Sequence, residues 1–219
     1  MNKKRIAFIV LFALLGFLAM QVPFTELVGS KVKFTLFDFI GPIAGGFVGS
    51  VWGVVTVFLM QLGNWAFHGF TLDAGTLVRF FPMLFGVLYF AKSRKFILAV
   101  PVIAMLAFWA HPEGRAAWPF ALLWLIPMVV YVFHERFLIA RALGATFTAH
   151  AVGGALWIWV FNLKAAVWMG LIPTVLIERG LFALGVALSF VLINAVLGWT
   201  VKHGWLKLSF LHLEKKYTV

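Results

Sequence analysis

The chain has 219 residues, of which 63% are hydrophobic and 11% are charged, and its formal net charge is +11. An ordinary soluble domain is about half apolar and about a quarter charged, so this composition excludes a soluble fold and predicts lipid around most of the chain. There is no cysteine, which excludes disulfides, thiol chemistry and cysteine-ligated metals. The positive charges lie in short runs between apolar segments, a distribution typical of membrane loops and not of nucleic-acid binding.

Apolar segments separated by short polar stretches run along the whole chain. Backbone groups in lipid must bond within the structure, and the alternation typical of a barrel is missing, so each spanning segment is predicted to be an α-helix. The sequence therefore predicts one all-α polytopic membrane bundle over residues 1–219, with six to eight spans. About seven segments are apolar: 6–28, 39–62, 76–91, 96–110, 117–133, 145–161 and 180–200.

The first apolar segment follows a basic start, Lys3-Lys4-Arg5. This arrangement suits a signal peptide or a retained helix. No small-x-small cleavage site follows cleanly, and Pro23 and Glu26 stand there instead. We therefore expect a retained anchor helix.

Four glycines stand four residues apart in the second segment, at Gly41, Gly45, Gly49 and Gly53. On a continuous helix this spacing places them on one face, where another backbone can approach closely. Such small-residue faces are a main route to helix packing in lipid, where hydrophobicity alone does not drive association. The stretch is predicted to lie at the centre of the bundle, packed on a partner helix or on a ligand.

The distribution of Lys and Arg allows two topologies. Seven simple spans place the N-terminus outside, although a Lys-Lys-Arg start favours the cytoplasm. Both features fit if residues 34–67 enter and leave twice, with a break between Gly45 and Ser50, which Pro42 and the glycines permit. The C-terminus is cytoplasmic in both topologies, and the predicted location is the cell (plasma) membrane.

Charged side chains at membrane depth are costly, so each one needs a reason. Asp38 is a ligand contact at the mouth of the bundle or an interfacial helix cap. Arg79 binds an anion or extends to the interface. Glu178 and Arg179 lie either in an interfacial loop or at membrane depth. At depth they would be on a helix, where adjacent side chains point about 100° apart, so we expect them to contact different partners.

A polar group ends the second segment, and its spacings of three and four place its members along one side of a helix: Gln61, Asn64, Trp65 and His68. Hydrogen-bonding groups beside an indole suit a small planar polar ligand. An aromatic belt at the membrane interface gives the same pattern.

One histidine and several tryptophans fall inside apolar segments. His150 is either a hydrogen-bonded core histidine or a ligand contact. Trp52, Trp157 and Trp159 lie away from the expected interfacial belts, which makes them candidates for stacking on a ligand ring, with Trp157 placed in the predicted site.

Familiar catalytic motifs are missing from the sequence. His134-Glu135 lacks the second histidine of a zinc protease, and there is no G-x-S-x-G, P-loop or G-x-G-x-x-G. No pair of carboxylates stands at helical spacing within one segment. We therefore predict no enzyme activity, no cofactor and no metal site.

Residues 37–49, FDFIGPIAGGFVG, resemble the Gly-Pro-containing early helix region of the substrate-binding S-components of energy-coupling-factor vitamin transporters. Chain length, basic ends, tryptophan content and the missing ATPase motif are similar too. The resemblance implies a small bundle that captures a vitamin or related micronutrient and works with a coupling membrane subunit and two ATPases. It also implies an Ala-x-x-x-Ala face on the first helix, whereas here Ala145 with Ala149 and Ala183 with Ala187 carry that spacing.

Three functions remain open from the sequence. The first is a substrate-capturing transport subunit, with its ligand between the glycine helix and the helices that carry Trp157 and Arg179. The second is a lipid-interacting or assembly protein without a small ligand. The third is an intramembrane enzyme that uses His111 with Glu113, or His134 with Glu135, at the interface. A polar cavity favours the first, a solid apolar interior the second, and an interfacial groove at a histidine the third.

Overall fold

The computed structural model describes residues 3–26, 33–91, 95–204 and 209–218. It is nearly all-α, with one short antiparallel hairpin formed by β1 (Pro23–Glu26) and β2 (Lys33–Thr35). The helices in the described residues are α1 (Lys3–Met20), α2 (Phe37–Ile40), α3 (Ala44–Phe67), α4 (Ala74–Arg79), α5 (Pro82–Phe90), α6 (Ala99–Ala110), α7 (Pro112–Ala116), α8 (Trp118–Ala121), α9 (Ile126–Tyr131), α10 (Leu138–Phe161) and α11 (Ala165–Lys202). Short 3₁₀ turns occupy Lys95–Leu98, Leu122–Leu125 and Lys215–Tyr217.

Three of these helices, α3, α10 and α11, are long and apolar enough to cross a membrane, judged by length and composition. The prediction of a helical bundle with membrane-length helices is therefore confirmed at this level. At 38 residues, α11 is about 57 Å long, against about 30 Å for the hydrocarbon core of a bilayer. Shorter apolar stretches cover Ala74–Phe90, Lys95–Ala110 and Trp118–Tyr131.

The last long helix begins earlier than its hydropathy predicts. The predicted segment starts at residue 180, whereas α11 starts at Ala165 and continues through Pro173. Glu178 and Arg179 are thus helical, which excludes the alternative of an interfacial loop for this pair. The β-hairpin is a second difference, because the sequence predicts helical spans and no strand in this region.

Helix α3 is interrupted at Gly49, which has φ of 80° and ψ of 177°. A Cβ built on Gly53 would lie 2.6 Å from the Gly45 Cα, whereas eight residues of continuous helix would separate these positions by about 12 Å. The chain therefore folds back on itself at Gly49, inside the predicted window of 45–50. Residues on both sides of this turn, Asp38 and Asn64, reach the same end of the bundle.

The four glycines make close contacts but do not form one stripe, because Gly49 ends the continuous helix on which the prediction depends. Gly45 and Gly53 face each other across the turn. A Cβ on Gly45 would lie 2.5 Å from the Val87 carbonyl oxygen of α5, and a Cβ on Gly53 would lie 2.9 Å from Val87 Cγ1. Gly41 lies in the turn before α3, beside Met83.

The C-terminal residues lie at the end of the bundle opposite Asp38, which we call the tail end. His212 N–H donates to the Phe47 carbonyl at 2.9 Å, next to the turn at Gly49. Asn194 exchanges two hydrogen bonds of 3.0 Å with the backbone of Glu214. Arg141 Nη1 donates to Glu214 Oε1 at 2.6 Å, so both α10 and α11 hold the tail.

The Ala-x-x-x-Ala pairs on α10 and α11 are used inside this bundle. Ala145, Ala149 and Ala183 are buried, and Ala187 packs against the core. A Cβ on Gly86 of α5 would meet the Ala145 carbonyl at 3.3 Å. These small residues therefore allow close packing among the helices of the chain itself.

Candidate functional site

The end of α3 presents polar side chains toward the end of the bundle opposite the tail. Gln61 Nε2 donates to the Phe80 carbonyl at 3.2 Å, and Trp65 Nε1 donates to the Thr71 carbonyl at 2.9 Å. Asn64 Oδ1 accepts from Gln21 Nε2 at 2.9 Å, while its carbonyl accepts from His68 Nδ1 at 2.8 Å. The predicted polar side of this helix therefore exists, and its members support the neighbouring loops.

The β-hairpin and the short helices α2 and α4 supply two further charges. Asp38 Oδ2 accepts from the Thr35 N–H at 2.9 Å, which fixes the carboxylate at the start of α2. Arg79, at the end of α4, donates through Nη2 to the Lys33 carbonyl at 3.1 Å. Both contacts are to β2, so the hairpin places these charges next to each other.

Helix α10 contributes a histidine and a tryptophan. His150 Nδ1 accepts from Trp124 Nε1 at 3.0 Å, and since an indole N–H can only donate, the neutral imidazole carries its proton on Nε2. Trp157 is 6% exposed, and its Nε1 has no hydrogen-bond partner in the described part of the chain. Its ring centroid lies 4.2 Å from that of Phe161.

Helix α11 contributes an acid and a base in adjacent positions. Arg179 is 5% exposed, and its guanidinium lies over the rings of Phe182 and Phe34, at 4.0 and 4.6 Å from their centroids. Contrary to the prediction of separate partners, Glu178 Oε2 lies 3.7 Å from Arg179 Nη2. That separation is too long for a hydrogen bond, and Nε and Nη2 of Arg179 have none.

These elements enclose a cavity of about 570 Å³. Sites for small molecules typically measure about 300 to 1,000 Å³ and combine an apolar lining with a few placed polar groups. All of the residues that the sequence selects as ligand-binding candidates line it: Asp38, Gln61, Asn64, Trp65, His68, Arg79, His150, Trp157, Glu178 and Arg179. They come from α2, α3, α4, α10 and α11, so the fold gathers distant parts of the chain around one space.

The cavity is elongated and has two chemically different sections. Lining residues on α11 run from Trp168 to Arg179, about 16 Å along the helix axis. Trp168, Phe120 and Trp157 form an aromatic section. Asp38 and Arg179 belong to a charged section at the other end of that helix face, next to the hairpin.

Sequence reasoning missed much of the aromatic section. Phe120 and Trp168 line the cavity, and their ring centroids are 4.9 Å apart. Their only signal in the sequence is their size, which a packing role explains equally well. Of the tryptophans proposed for ring stacking, Trp52 lies near Arg5 instead, and Trp159 is 56% exposed and donates to the Ala107 carbonyl.

The two histidine–glutamate pairs considered for catalysis lie outside the cavity lining. His111 Nδ1 accepts from the Glu113 N–H at 3.3 Å, as the cap of α7. The Glu113 carboxylate accepts from the Ala165 N–H at 2.8 Å and from Lys164 Nζ at 3.0 Å, and these bonds hold its pKa below the ordinary value. His134 stacks on Tyr131.

No group of three or more potential metal ligands occurs in the part of the chain that the structure describes. Comparison with protein-family models, curated proteins and solved structures finds no match. Function is therefore inferred from the geometry of the cavity.

Proposed function

We propose that this chain is a multi-pass membrane protein that captures a small micronutrient for transport and has no enzymatic activity of its own. The observation that carries the proposal is the cavity lined by Trp157 and Arg179. Its size suits a vitamin-sized molecule. Residues 37–49 resemble the S-components of energy-coupling-factor transporters, which supports the same class of function.

The interior chemistry favours a ligand site over a bundle that serves only assembly. A protein that only packs other helices gains from an apolar interior, because each buried polar group without a partner costs free energy. Here Arg179 and Trp157 line the cavity and are buried with donors that have no acceptor among the described residues. A bound molecule that supplies acceptors offsets this cost.

The distribution of charge supports an orientation in which the cavity faces outward. Arg5 lies over the ring of Phe210, which places the basic start of α1 at the tail end. Basic residues in short loops mark the cytoplasmic side of a membrane protein. The tail end carries the larger group: Lys3, Lys4, Arg5, Arg136, Arg141, Lys202, Lys215 and Lys216. We therefore propose a plasma-membrane protein with both termini cytoplasmic.

The sequence contains no ATPase motif, so this chain does not drive transport with ATP by itself. We propose a coupling membrane subunit with ATPases, as the resemblance implies. Since Ala145, Ala149 and Ala183 are already buried, docking does not use the Ala-x-x-x-Ala pairs of α10 and α11.

The test is purification in mild detergent followed by native mass spectrometry for a co-purified molecule. We expect a small non-lipid molecule, bound one to one, and a rise in melting temperature when vitamins are added. Phospholipid alone in the spectrum, with no thermal shift from any vitamin, would favour a lipid-interacting or assembly protein.

Two tryptophans on α10 provide a matched pair of variants. Trp157 lines the cavity, whereas Trp159, two residues on, lies outside the lining and is largely exposed. We expect Trp157→Ala to abolish ligand retention and Trp159→Ala to retain it. Equal retention in both variants would contradict binding in this cavity.

A further inference from the structure

The chemistry of the unpaired donors indicates what kind of ligand the cavity takes, given that it holds a small molecule as proposed above. In a guanidinium group the Nε–H and the Nη2–H point to the same side and form a fork that matches the two oxygens of a carboxylate. Those are the two atoms of Arg179 without a partner. The rings of Phe34 and Phe182 hold the guanidinium plane in position.

Two of the other charged groups of the cavity are already hydrogen-bonded to the protein backbone. Asp38 accepts from the Thr35 backbone, and Arg79 donates to the Lys33 carbonyl. Glu178 lies near Arg179, but no hydrogen bond joins them at 3.7 Å. Within the described residues, the buried atoms left without a hydrogen-bond partner at the charged section are therefore the donors of Arg179, whereas the Glu178 carboxylate is partly exposed.

The formal charge of the cavity also favours a ligand that carries a negative charge. The described lining residues include three basic side chains, Lys33, Arg79 and Arg179, and two acidic ones, Asp38 and Glu178. The excess is one positive charge, and a single negative charge on the ligand neutralises it. Around the buried Arg179, such a match contributes more than at an exposed surface.

We propose that the ligand is a small monoanionic amphipathic molecule whose carboxylate or phosphate oxygens bind the Nε–Nη2 side of Arg179. Its planar or apolar body lies along α11 in the aromatic section formed by Phe120, Trp157 and Trp168. The Trp157 N–H serves an acceptor on that body. A cation or an uncharged amide leaves the Arg179 fork unpaired and binds less tightly.

The experiment compares ligands that differ only in the charged group. The probes are the acid, primary amide and amine forms of four bodies: benzene, indole, naphthalene and a ten-carbon chain. Isothermal titration with the purified full-length protein in detergent measures each affinity. We expect at least one acid to bind about tenfold or more tightly than its own amide and amine, since charge-assisted bidentate pairs exceed neutral hydrogen bonds by this order.

A second buried arginine provides the control. Arg141 has the same unpaired atoms, Nε and Nη2, but it lies at the tail end, outside the cavity lining, and is paired with Glu214. We expect Arg179→Gln to remove the preference for the acid and Arg141→Gln to retain it. Arg179→Lys keeps the charge without the fork and is expected to retain a small part of the preference.

The outcomes separate this inference from the proposed function. An amine or an amide that binds best overturns the anionic ligand but keeps a capture function. Binding of no probe of any charge overturns the inference, whereas the capture function is then decided by the co-purified molecule. If that molecule is an anionic lipid released by Arg179→Gln, the oxyanion site stands and transport of a soluble micronutrient fails. An acid preference that survives Arg179→Gln also overturns the assignment.

Discussion

Two buried arginines at opposite ends of the bundle have the same chemistry and different surroundings. Arg141, 2% exposed at the tail end, pairs with Glu214 at 2.6 Å and lies over the rings of Phe90 and Phe190. Arg179 also lies over two aromatic rings, but it has no hydrogen-bonded acid and lines a cavity. At the tail end the buried arginine binds the C-terminal segment, whereas at the cavity end Nε and Nη2 of Arg179 have no hydrogen-bond acceptor among the described residues.

The packing along α3 also differs between the two ends of the helix. Gly53, near the turn, is pressed against another glycine and a valine, while a Cβ at Gly63, near the cavity end, would meet nothing within 4 Å. Along α3, close packing is therefore found at Gly53 beside the turn, whereas Gly63 is exposed.

The largest effect is expected from Gly53→Ala. A Cβ there would lie 2.6 Å from the Gly45 Cα and 2.8 Å from its nitrogen, and both are backbone atoms that cannot turn away. We expect a loss of about 3 kcal/mol in stability, seen as a lower melting temperature in detergent.

Gly63→Ala is the matched control on the same helix. It places a methyl group in open space, so the better helix propensity of alanine should leave stability unchanged or raise it by up to about 1 kcal/mol. Similar melting temperatures for the two variants would mean that the fold-back contact between Gly45 and Gly53 does not form.

The next test exchanges each arginine for methionine. Arg141→Met leaves Glu214 without its partner, and we expect a loss of about 2 kcal/mol, reduced from a fully buried pair because Glu214 is 25% exposed. Arg179→Met loses ring contacts but also removes a buried charge without a bonded acid, so stability should change by less than about 1 kcal/mol.

Melting temperatures of both variants, measured without added ligand after exhaustive washing, check this contrast. A larger loss for Arg179→Met than for Arg141→Met would show that Arg179 serves the fold and not a ligand.

A smaller effect is expected at the turn itself. A methyl group on Gly49 would contact only His212 Cε1, at an ordinary 3.7 Å, so space is not the obstacle. Its φ of 80° with ψ of 177° is a conformation that essentially only glycine adopts. Gly49→Ala should therefore lower the free energy of unfolding by about 1.5 kcal/mol through backbone strain. A melting temperature equal to that of Gly63→Ala would contradict the break in α3.

The fold-back in α3 could be located from sequence because it follows from local rules. Pro42 and the closely spaced glycines allow a break, and a basic start that favours the cytoplasm fits the topology with that break. The β-hairpin could not be predicted, because Pro23–Glu26 and Lys33–Thr35 are short and carry no clear alternation. The early start of α11 could not be predicted, because Pro173 and the charged pair Glu178–Arg179 disfavour a continuous apolar helix. In the folded chain, packing outweighs both local signals.

The residues that line the cavity also divide into those that the sequence indicates and those that it does not. Polar groups such as Asp38, Gln61 and Arg179 stand out in an apolar chain, because burying them requires a reason, and the structure gathers them around one space. Phe120 and Trp168 do not stand out, since an aromatic residue in a membrane helix is ordinary. Sequence therefore indicates which polar residues line the cavity but not which aromatic residues complete the lining.

The smallest expected effect concerns a link at the cavity end that depends on pH. The pKa of Glu113 lies below its ordinary value of 4.5, chiefly because its carboxylate accepts from the Ala165 N–H, and also because Lys164 is bonded to it. A carboxylate with a lowered pKa in the folded state contributes stability that is present above the ordinary pKa and is lost as the pH falls through the lower folded value. Melting temperature should therefore decline below about pH 4.5 in the wild type and decline less in Glu113→Gln. Lys164→Met should retain most of the decline in melting temperature, because the bond from Ala165 to Glu113 remains. A wild-type curve identical to that of Glu113→Gln would show that α11 is not anchored to α7 through this carboxylate.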